Sequence, residues 1–264
     1  MKLLATAVAG RGLVAPDEPV FSAGDEALLR GQAVFETARV YAGTPFRLDA
    51  HVERLRASAR IVGLPDADAA ECERLAALVV EVAGKRADRA LRLYWTGTTL
   101  VATASALPGD LEERRARGIR LAVVPWSAGT LAGAKSTSYA ENMAAQREAA
   151  AAGADDALLV AHDGTVLEAP TANVWWREGS RLLTPSVLLP VLAGVTRSAL
   201  LELAPAAGYE TEEGTFPLER VLLADEVFLS SSIREVMPVS AVDGKAFELG
   251  PAAHDLQRAL RSSV

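Results

Sequence analysis

Strand-type and helix-type runs are interleaved along this chain without the strict alternation that builds an all-parallel sheet, and that ordering limits the fold more than any other feature. Residues 3–8, 13–14 and 34–41 read as strands. Ala42-Gly43-Thr44-Pro45 reads as a hairpin turn with 46–48 as the return strand. Asp49 is placed to cap a helix in which Val52, Leu55, Ala59 and Val62 recur at helical spacing and which Gly63-Leu64-Pro65 ends. A second helix is expected over 66–82, with Leu75, Leu78, Val79 and Val82 inward, followed by strands at 91–95 and 100–104. Strands at 118–125, 156–160, 165–168, 173–176, 181–184 and 224–230 follow, with helices at 139–151, 194–203 and 252–261. The sum is an α+β architecture in two domains: a small N-terminal α/β domain over 1–112, a charged linker at 113–117, and a larger domain over 118–264.

Composition narrows the function classes. Half of the 264 residues are apolar and 23% are charged, as in ordinary globular domains. A net charge of −7 argues against a nucleic-acid groove or an anionic membrane surface as the main partner. Cys72 is the single cysteine, so no internal disulfide framework exists and a reducing compartment is expected. Residues 1–10 slightly mimic a secretion signal, but the short apolar part reads as a first strand. No run approaches the ~18 apolar residues of a membrane span. The expectation is a cytoplasmic protein.

Of 27 basic residues only Lys2, Lys85, Lys135 and Lys245 are lysines. Lys135 follows the small, apolar run Thr130-Leu131-Ala132-Gly133-Ala134. A primary amine condenses with an aldehyde and loses its proton when desolvated, and a guanidinium does neither. A surface lysine opening the next helix is the alternative. Other residues fit one task with the amine. Glu168 ends a strand and is followed by small residues, Val195 and Thr196 open a helix whose free N–H groups suit an anion, Ser231 and Ser232 add donors, and Arg54 adds a charge. An amine, a carboxylate and an anion cup together describe a site for pyridoxal phosphate (PLP).

At this point the chain resembles the class IV aminotransferases, the fold-type IV PLP enzymes that include branched-chain aminotransferase, D-amino-acid aminotransferase and 4-amino-4-deoxychorismate lyase. The matching text runs through nearly the whole sequence: Val34-Phe35-Glu36-Thr37, His51-Val52-Glu53-Arg54-Leu55, Lys135, Glu168 with Asn173 five residues on, Leu192-Ala193-Gly194-Val195-Thr196-Arg197, and Ala224-Asp225-Glu226-Val227-Phe228. The resemblance implies that Lys135 forms the Schiff base and that Glu168, with Asn173, holds the pyridine nitrogen. It also implies that Arg54, Val195, Thr196, Ser231 and Ser232 bind phosphate. It implies a larger domain of barrel-like β character, PLP in a cleft between the domains, and a homodimer.

The family's chemistries share their first steps, so the pocket must separate them. Phe35-Glu36-Thr37 resembles the lyase and D-amino-acid groups, where branched-chain enzymes usually have F-E-G. The spacing from Lys135 to Glu148-Ala149 also resembles those groups. The arginine and histidine that trap the carboxylate in D-amino-acid enzymes have no counterpart in Thr96-Gly97-Thr98-Thr99, which leaves Arg92, Arg234 or backbone amides for that task. Phe35 and Ile233 are expected against the substrate, and Tyr139 against the cofactor. Trp95, Trp126, Trp175 and Trp176 are candidates for an aromatic wall or for core. The expected reaction moves an amino group from a D-amino acid or (R)-amine donor to a 2-oxo acid. The lyase that releases 4-aminobenzoate and pyruvate is the alternative, and a branched-chain L-amino-acid enzyme comes third. No metal is expected.

Overall fold

A computed structural model describes residues 2–264. The chain divides into two compact units: Met1–Pro108 with Ala134–Tyr139, and Gly109–Gly133 with Ala140–Val264.

The first unit runs β1 (Leu3–Val8), β2 (Gly12–Val14), α1 (Glu26–Arg30), β3 (Val34–Tyr41), β4 (Thr44–Pro45), α2 (Leu48–Val62), α3 (Ala69–Ala83), β5 (Arg89–Trp95) and β6 (Leu100–Ala106). Its six strands form one sheet in the order β2-β1-β6-β5-β3-β4 with every neighbouring pair antiparallel. Side chains alternate across a strand, so each strand serves two faces. Val34, Ala38, Val40, Leu91, Leu93, Ala102 and Ala104 turn one face toward α2 and α3, where they pack on Val52, Leu55, Ala59, Leu75 and Val79. Burial on that scale contributes about 2 kcal/mol per large aliphatic side chain. Truncating Leu55, which has no exposure, costs about 2–5 kcal/mol. The register gives the opposite face Phe35, Thr37 and Arg39 from β3, Arg92 and Tyr94 from β5, and Thr103 from β6.

Several boundaries differ from the sequence reading. Helix α1 was not foreseen; Asp25 accepts from Ala27 N–H at its start, and Gly31, at φ 67°, ends it. Arg47, in the left-handed region at φ 47°, leads into α2, so Asp49 lies in the first turn and not at the cap. A carboxylate there still complements the helix dipole. The return strand is Thr44–Pro45 alone. In α3 the buried stripe is Cys72, Leu75, Ala76, Val79 and Val80, which turns Val82 outward at 55% exposure.

The second unit contains α4 (Leu111–Arg117), β7 (Ile119–Trp126), α5 (Ala140–Ala151), β8 (Asp156–Ala161), β9 (Asn173–Glu178), β10 (Arg181–Pro185), α6 (Val195–Leu203), β11 (Glu210–Gly214), α7 (Leu218–Leu222), β12 (Glu226–Ser231), β13 (Glu235–Val242), β14 (Lys245–Ala246) and α8 (Pro251–Ser262). Seven strands form the order β11-β10-β9-β12-β13-β7-β8, and β14 pairs with β13 outside that path. The β10–β11, β13–β7 and β7–β8 pairs are parallel, so the sheet is mixed. Residues 165–168, expected as a strand, pair with β8 through isolated contacts, among them Leu159 N–H to the Glu168 carbonyl at 2.8 Å.

The segment 113–117, expected as a linker, belongs to helix α4. Its charges favour the helix, with Glu112 and Glu113 in the first turn and Arg114, Arg115 and Arg117 in the last. Arg115 donates to the carbonyls of Arg234 and Val236 and pairs with buried Glu235. Glu235, at φ 55°, also accepts from Gln257 and Arg261 of α8. Buried Glu226 accepts from Ala252 N–H and Ala253 N–H at 3.0 and 2.8 Å, capping α8, which has no cap of its own at Gly250. Trp175 and Trp176 are core, with Trp175 stacked on Phe228 and donating to Ser230 Oγ. Trp95 donates to the Pro65 carbonyl and packs on the first unit's core. Among the described residues no helix is long and apolar enough to cross a membrane.

Candidate active site

In the first unit, residues 134–139 lie along β3. Phe35 N–H donates to the Lys135 carbonyl at 2.9 Å and Thr137 N–H to the Ala33 carbonyl at 2.8 Å. On its other side Lys135 N–H donates to Ser58 Oγ of α2 at 3.0 Å, and Ser58 is buried. The backbone at Lys135 is therefore held from two directions before any ligand is considered. The Lys135 side chain is half-buried, with Nζ 4.8 Å from the Phe35 ring centre and 5.9 Å from that of Tyr139. Those two rings meet edge to face at 5.4 Å, and Tyr94 stacks on Phe35 at 6.3 Å. An ammonium resting on ring faces is stabilised by their quadrupoles. Helix α5 starts only at Ala140, so Lys135 is not its solvated first residue.

Behind Phe35, on the helix-facing side of β3, Glu36 is buried and accepts from Arg54 Nε and Nη2, each at 2.7 Å, with His51 Nδ1 also at 2.7 Å. Burial pushes the Glu36 carboxyl up, but the Arg54 charge and the hydrogen bonds from Arg54 and His51 outweigh it, and the net pKa falls to about 2. Glu36 fixes the plane of the Arg54 guanidinium.

In the second unit, Glu168 Oε2 accepts from Asn173 Nδ2 at 3.0 Å and from Leu192 N–H at 3.1 Å, while Asn173 Nδ2 also reaches the Leu192 carbonyl at 2.9 Å. Asn173 opens β9, and Leu192 lies two residues before Gly194, the residue that precedes α6. A Cβ on Gly194 would overlap Asn173 Oδ1, so glycine is required there by proximity and not by φ, which is −69°. No side chain caps α6, whose first residues Val195 and Thr196 are buried. The first N–H groups of any helix lack partners within it. A clamped carboxylate and an uncapped helix start thus share one cluster of side chains.

β12 ends on Ser231, and the turn to β13 carries Ser232 and Ile233, all three half-buried. Arg234 in the same turn is committed: Nη1 donates to buried Asp156 at 2.7 Å and Nη2 to Thr171 Oγ1. Asn142 adds a bond to the Pro170 carbonyl, so the loop after Glu168 is tied down twice. The sequence reading missed Ser58, Asp156 and the Leu192 N–H. An aspartate at the start of a buried-type strand was the available signal for Asp156. The other two act through one hydroxyl and one backbone group, which leave no pattern in sequence.

Residues 33–242 match the class IV amino-transferase family. The chain is 31% identical to the bifunctional aminodeoxychorismate lyase / D-amino acid transaminase of Mycobacterium tuberculosis, over 91% of this chain and 92% of that one. It is 30% identical to the D-alanine aminotransferase of Bacillus licheniformis, over 89% and 88%. A hypothetical aminotransferase from M. tuberculosis, solved with α-ketoglutarate and pyridoxamine phosphate (PMP), superposes with a TM-score of 0.91 at 30% identity over 98% of this chain and all of that one. A fold IV transaminase from Curtobacterium pusillum gives 0.89 at 32% over 97% of each. This chain belongs to the class IV aminotransferases, fold-type IV enzymes that use pyridoxal phosphate and work on an amino donor and a 2-oxo acid.

Proposed function

We propose that this enzyme transfers the amino group of a D-amino acid or (R)-amine to a 2-oxo acid, with Lys135 and Glu168 as its catalytic residues. The observation that carries the reading is the Lys135 amine held on the Phe35 and Tyr139 rings by a backbone bonded on both sides. The donor set fits PLP: an amine for the aldehyde, a carboxylate clamped by Asn173 and Leu192 for the ring nitrogen, and an uncapped helix start for phosphate. When bound, PLP supplies an aldehyde that condenses with amines and a ring that accepts the electrons of a broken Cα–H bond.

Each residue then has a role. Lys135 Nζ would take the proton from the substrate α-carbon and hold it for return to the carbon on the far side of the amino nitrogen. Glu168, oriented by Asn173, holds a proton at the ring nitrogen. The Val195 and Thr196 N–H groups, with Ser231 and Ser232, bind phosphate. Arg54 adds a charge-assisted contact, and its plane is set by Glu36, whose anion offsets part of that charge. That sharing leaves the α6 donors as the principal phosphate ligands. Tyr139 would contact the cofactor, and Phe35 and Ile233 are the residues assigned to the substrate.

The D-type reading is supported by the two relatives named for D-amino acids. Aminodeoxychorismate lyase is the second reading, favoured by the double name of the M. tuberculosis relative and by a B. subtilis lyase at 30% identity. Branched-chain transamination is third. Incubation with D-alanine, L-alanine, L-leucine and aminodeoxychorismate separates them. Bleaching of the cofactor absorbance by D-alanine and not by L-alanine is expected. Pyruvate and 4-aminobenzoate released from aminodeoxychorismate without any acceptor would replace the first reading by the second, and bleaching by L-leucine alone by the third. We also infer a homodimer, a reading supported by Leu28 and Leu29, 69% and 58% exposed side by side on α1. Light scattering is expected to give twice the 27.8 kDa chain mass.

A further inference from the structure

Arg39, Arg54, Arg115, Arg197 and Arg234 are all mostly buried, and each lies against a carboxylate: Asp88, Glu36, Glu235, Glu213 and Asp156 in turn. Arg92 departs from that pattern. It is half-buried in the middle of β5, yet among the described residues its one hydrogen bond runs from Nη1 to Tyr94 Oη at 3.4 Å. Its Nε is buried with no partner; Arg56, Arg114, Arg115 and Arg197 each leave one nitrogen the same way, but all four pair with a carboxylate and Arg92 does not. A guanidinium carries five N–H donors in a planar fork. Leaving a buried donor unpaired costs about 1–3 kcal/mol, and a half-buried guanidinium with no carboxylate beside it also lacks a counter-charge within the chain.

Its position says what would complete it. Thr37 and Thr103 are its direct cross-strand neighbours on one sheet face, and Phe35 is the diagonal neighbour, about 7–8 Å away in such a register. Phe35 is the ring on which the Lys135 amine rests. A base must come within about 3 Å of the carbon-bound proton it takes. In an amino acid the carboxylate is one bond from that carbon. A cation one residue pair from the base, flanked by the Tyr94, Thr37 and Thr103 hydroxyls, matches a planar two-oxygen anion. Arg234, the other candidate, is already closed by Asp156 and Thr171.

We propose that Arg92 binds the α-carboxylate of the amino acid and of the 2-oxo acid, and so biases this enzyme toward carboxylate-bearing substrates over plain amines. The proposal rests on the role of Lys135 given above. Its test compares Arg92→Gln, Arg92→Lys and Arg234→Gln with the unmodified protein. In Arg92→Gln, KM for D-alanine and pyruvate rises about 10- to 100-fold. The loss in kcat/KM is at least tenfold larger for D-alanine than for (R)-1-phenylethylamine. Arg92→Lys, which keeps the charge without the fork, lies between. Equal losses for acid and amine, or a carboxylate-selective loss in Arg234→Gln and not in Arg92→Gln, would overturn the assignment. Calorimetric titration with 4-methylvalerate, an unreactive carboxylate, gives a readout independent of turnover. Binding to the unmodified protein that weakens at least tenfold in Arg92→Gln supports the proposal, and equal binding, or none to either, contradicts it. Failure of the Lys135 reading shows separately, as an unmodified protein that never acquires cofactor absorbance.

Discussion

Buried charge is handled differently in the sheet face around Arg92 and in the β12–β13 region around Arg234. In the second region Asp156, Glu226 and Glu235 are each met by arginine or by N–H donors. On the first face Arg92 keeps a buried nitrogen without a partner, and the Lys135 amine rests on aromatic rings. A buried charge that meets its counter-charge within the chain marks scaffold, and a half-buried guanidinium with no carboxylate beside it marks a place suited to an anionic ligand. The contrast also separates the two arginines that the sequence offers as carboxylate ligands.

The largest effect that would sharpen this contrast comes from Lys135→Ala, which is expected to lower kcat by at least about 10^4-fold while thermal stability stays within a few degrees. Steady-state rates and a melting curve check it; a fall in stability equal to that of a core variant would move Lys135 to the scaffold side. Next, Glu235→Ala strips a partner from Arg115 and Arg261 and is expected to cost about 3–5 kcal/mol in denaturant unfolding. Activity per folded molecule should then hold within a few-fold. Glu168→Gln is expected to lower kcat about 100-fold with the fold intact, since the amide cannot hold the ring proton as an anion does. Gly194→Ala would push Asn173 off Glu168 and cost about 1–3 kcal/mol, read as weaker cofactor retention together with a lower melting point.

The smallest effect is one of pH. The Glu36 pKa is lowered from 4.5 to about 2, so the unfolded chain binds more protons in that interval. Its stabilising contribution is whole above pH 4.5 and is lost as pH falls through about 2. Unfolding measured across that window should show a slope that Glu36→Gln flattens; an unchanged slope would contradict the Arg54–Glu36–His51 arrangement.

Much of the fold was legible in the sequence because strands β3, β5, β6 and β9 alternate or run apolar between glycine-bearing turns, and because α2 and α8 repeat at helical spacing. Where the reading erred, a distant residue decided. Helix α4 looked like a charged linker because its one buried apolar side chain, Leu111, and the carboxylate of Glu235, more than a hundred residues away, stabilise it. Val82 was read inward because the stripe of α3 shifts by one position toward Cys72 and Ala76. At the site, Lys135, Glu168 and Asn173 were visible as motif letters. The choice of Arg92 over Arg234 was not visible, since it turns on Asp156, 78 residues from Arg234, reaching one of them.

Every role proposed for the site requires that the amine of residue 135 carry the cofactor. Reduction of the PLP-loaded protein with borohydride, followed by peptide mapping, tests this directly, because four lysines give four resolvable positions. The pyridoxyl mass is predicted on the peptide containing Lys135 and on no other. A label on Lys2, Lys85 or Lys245, or a protein that takes no label, would contradict it.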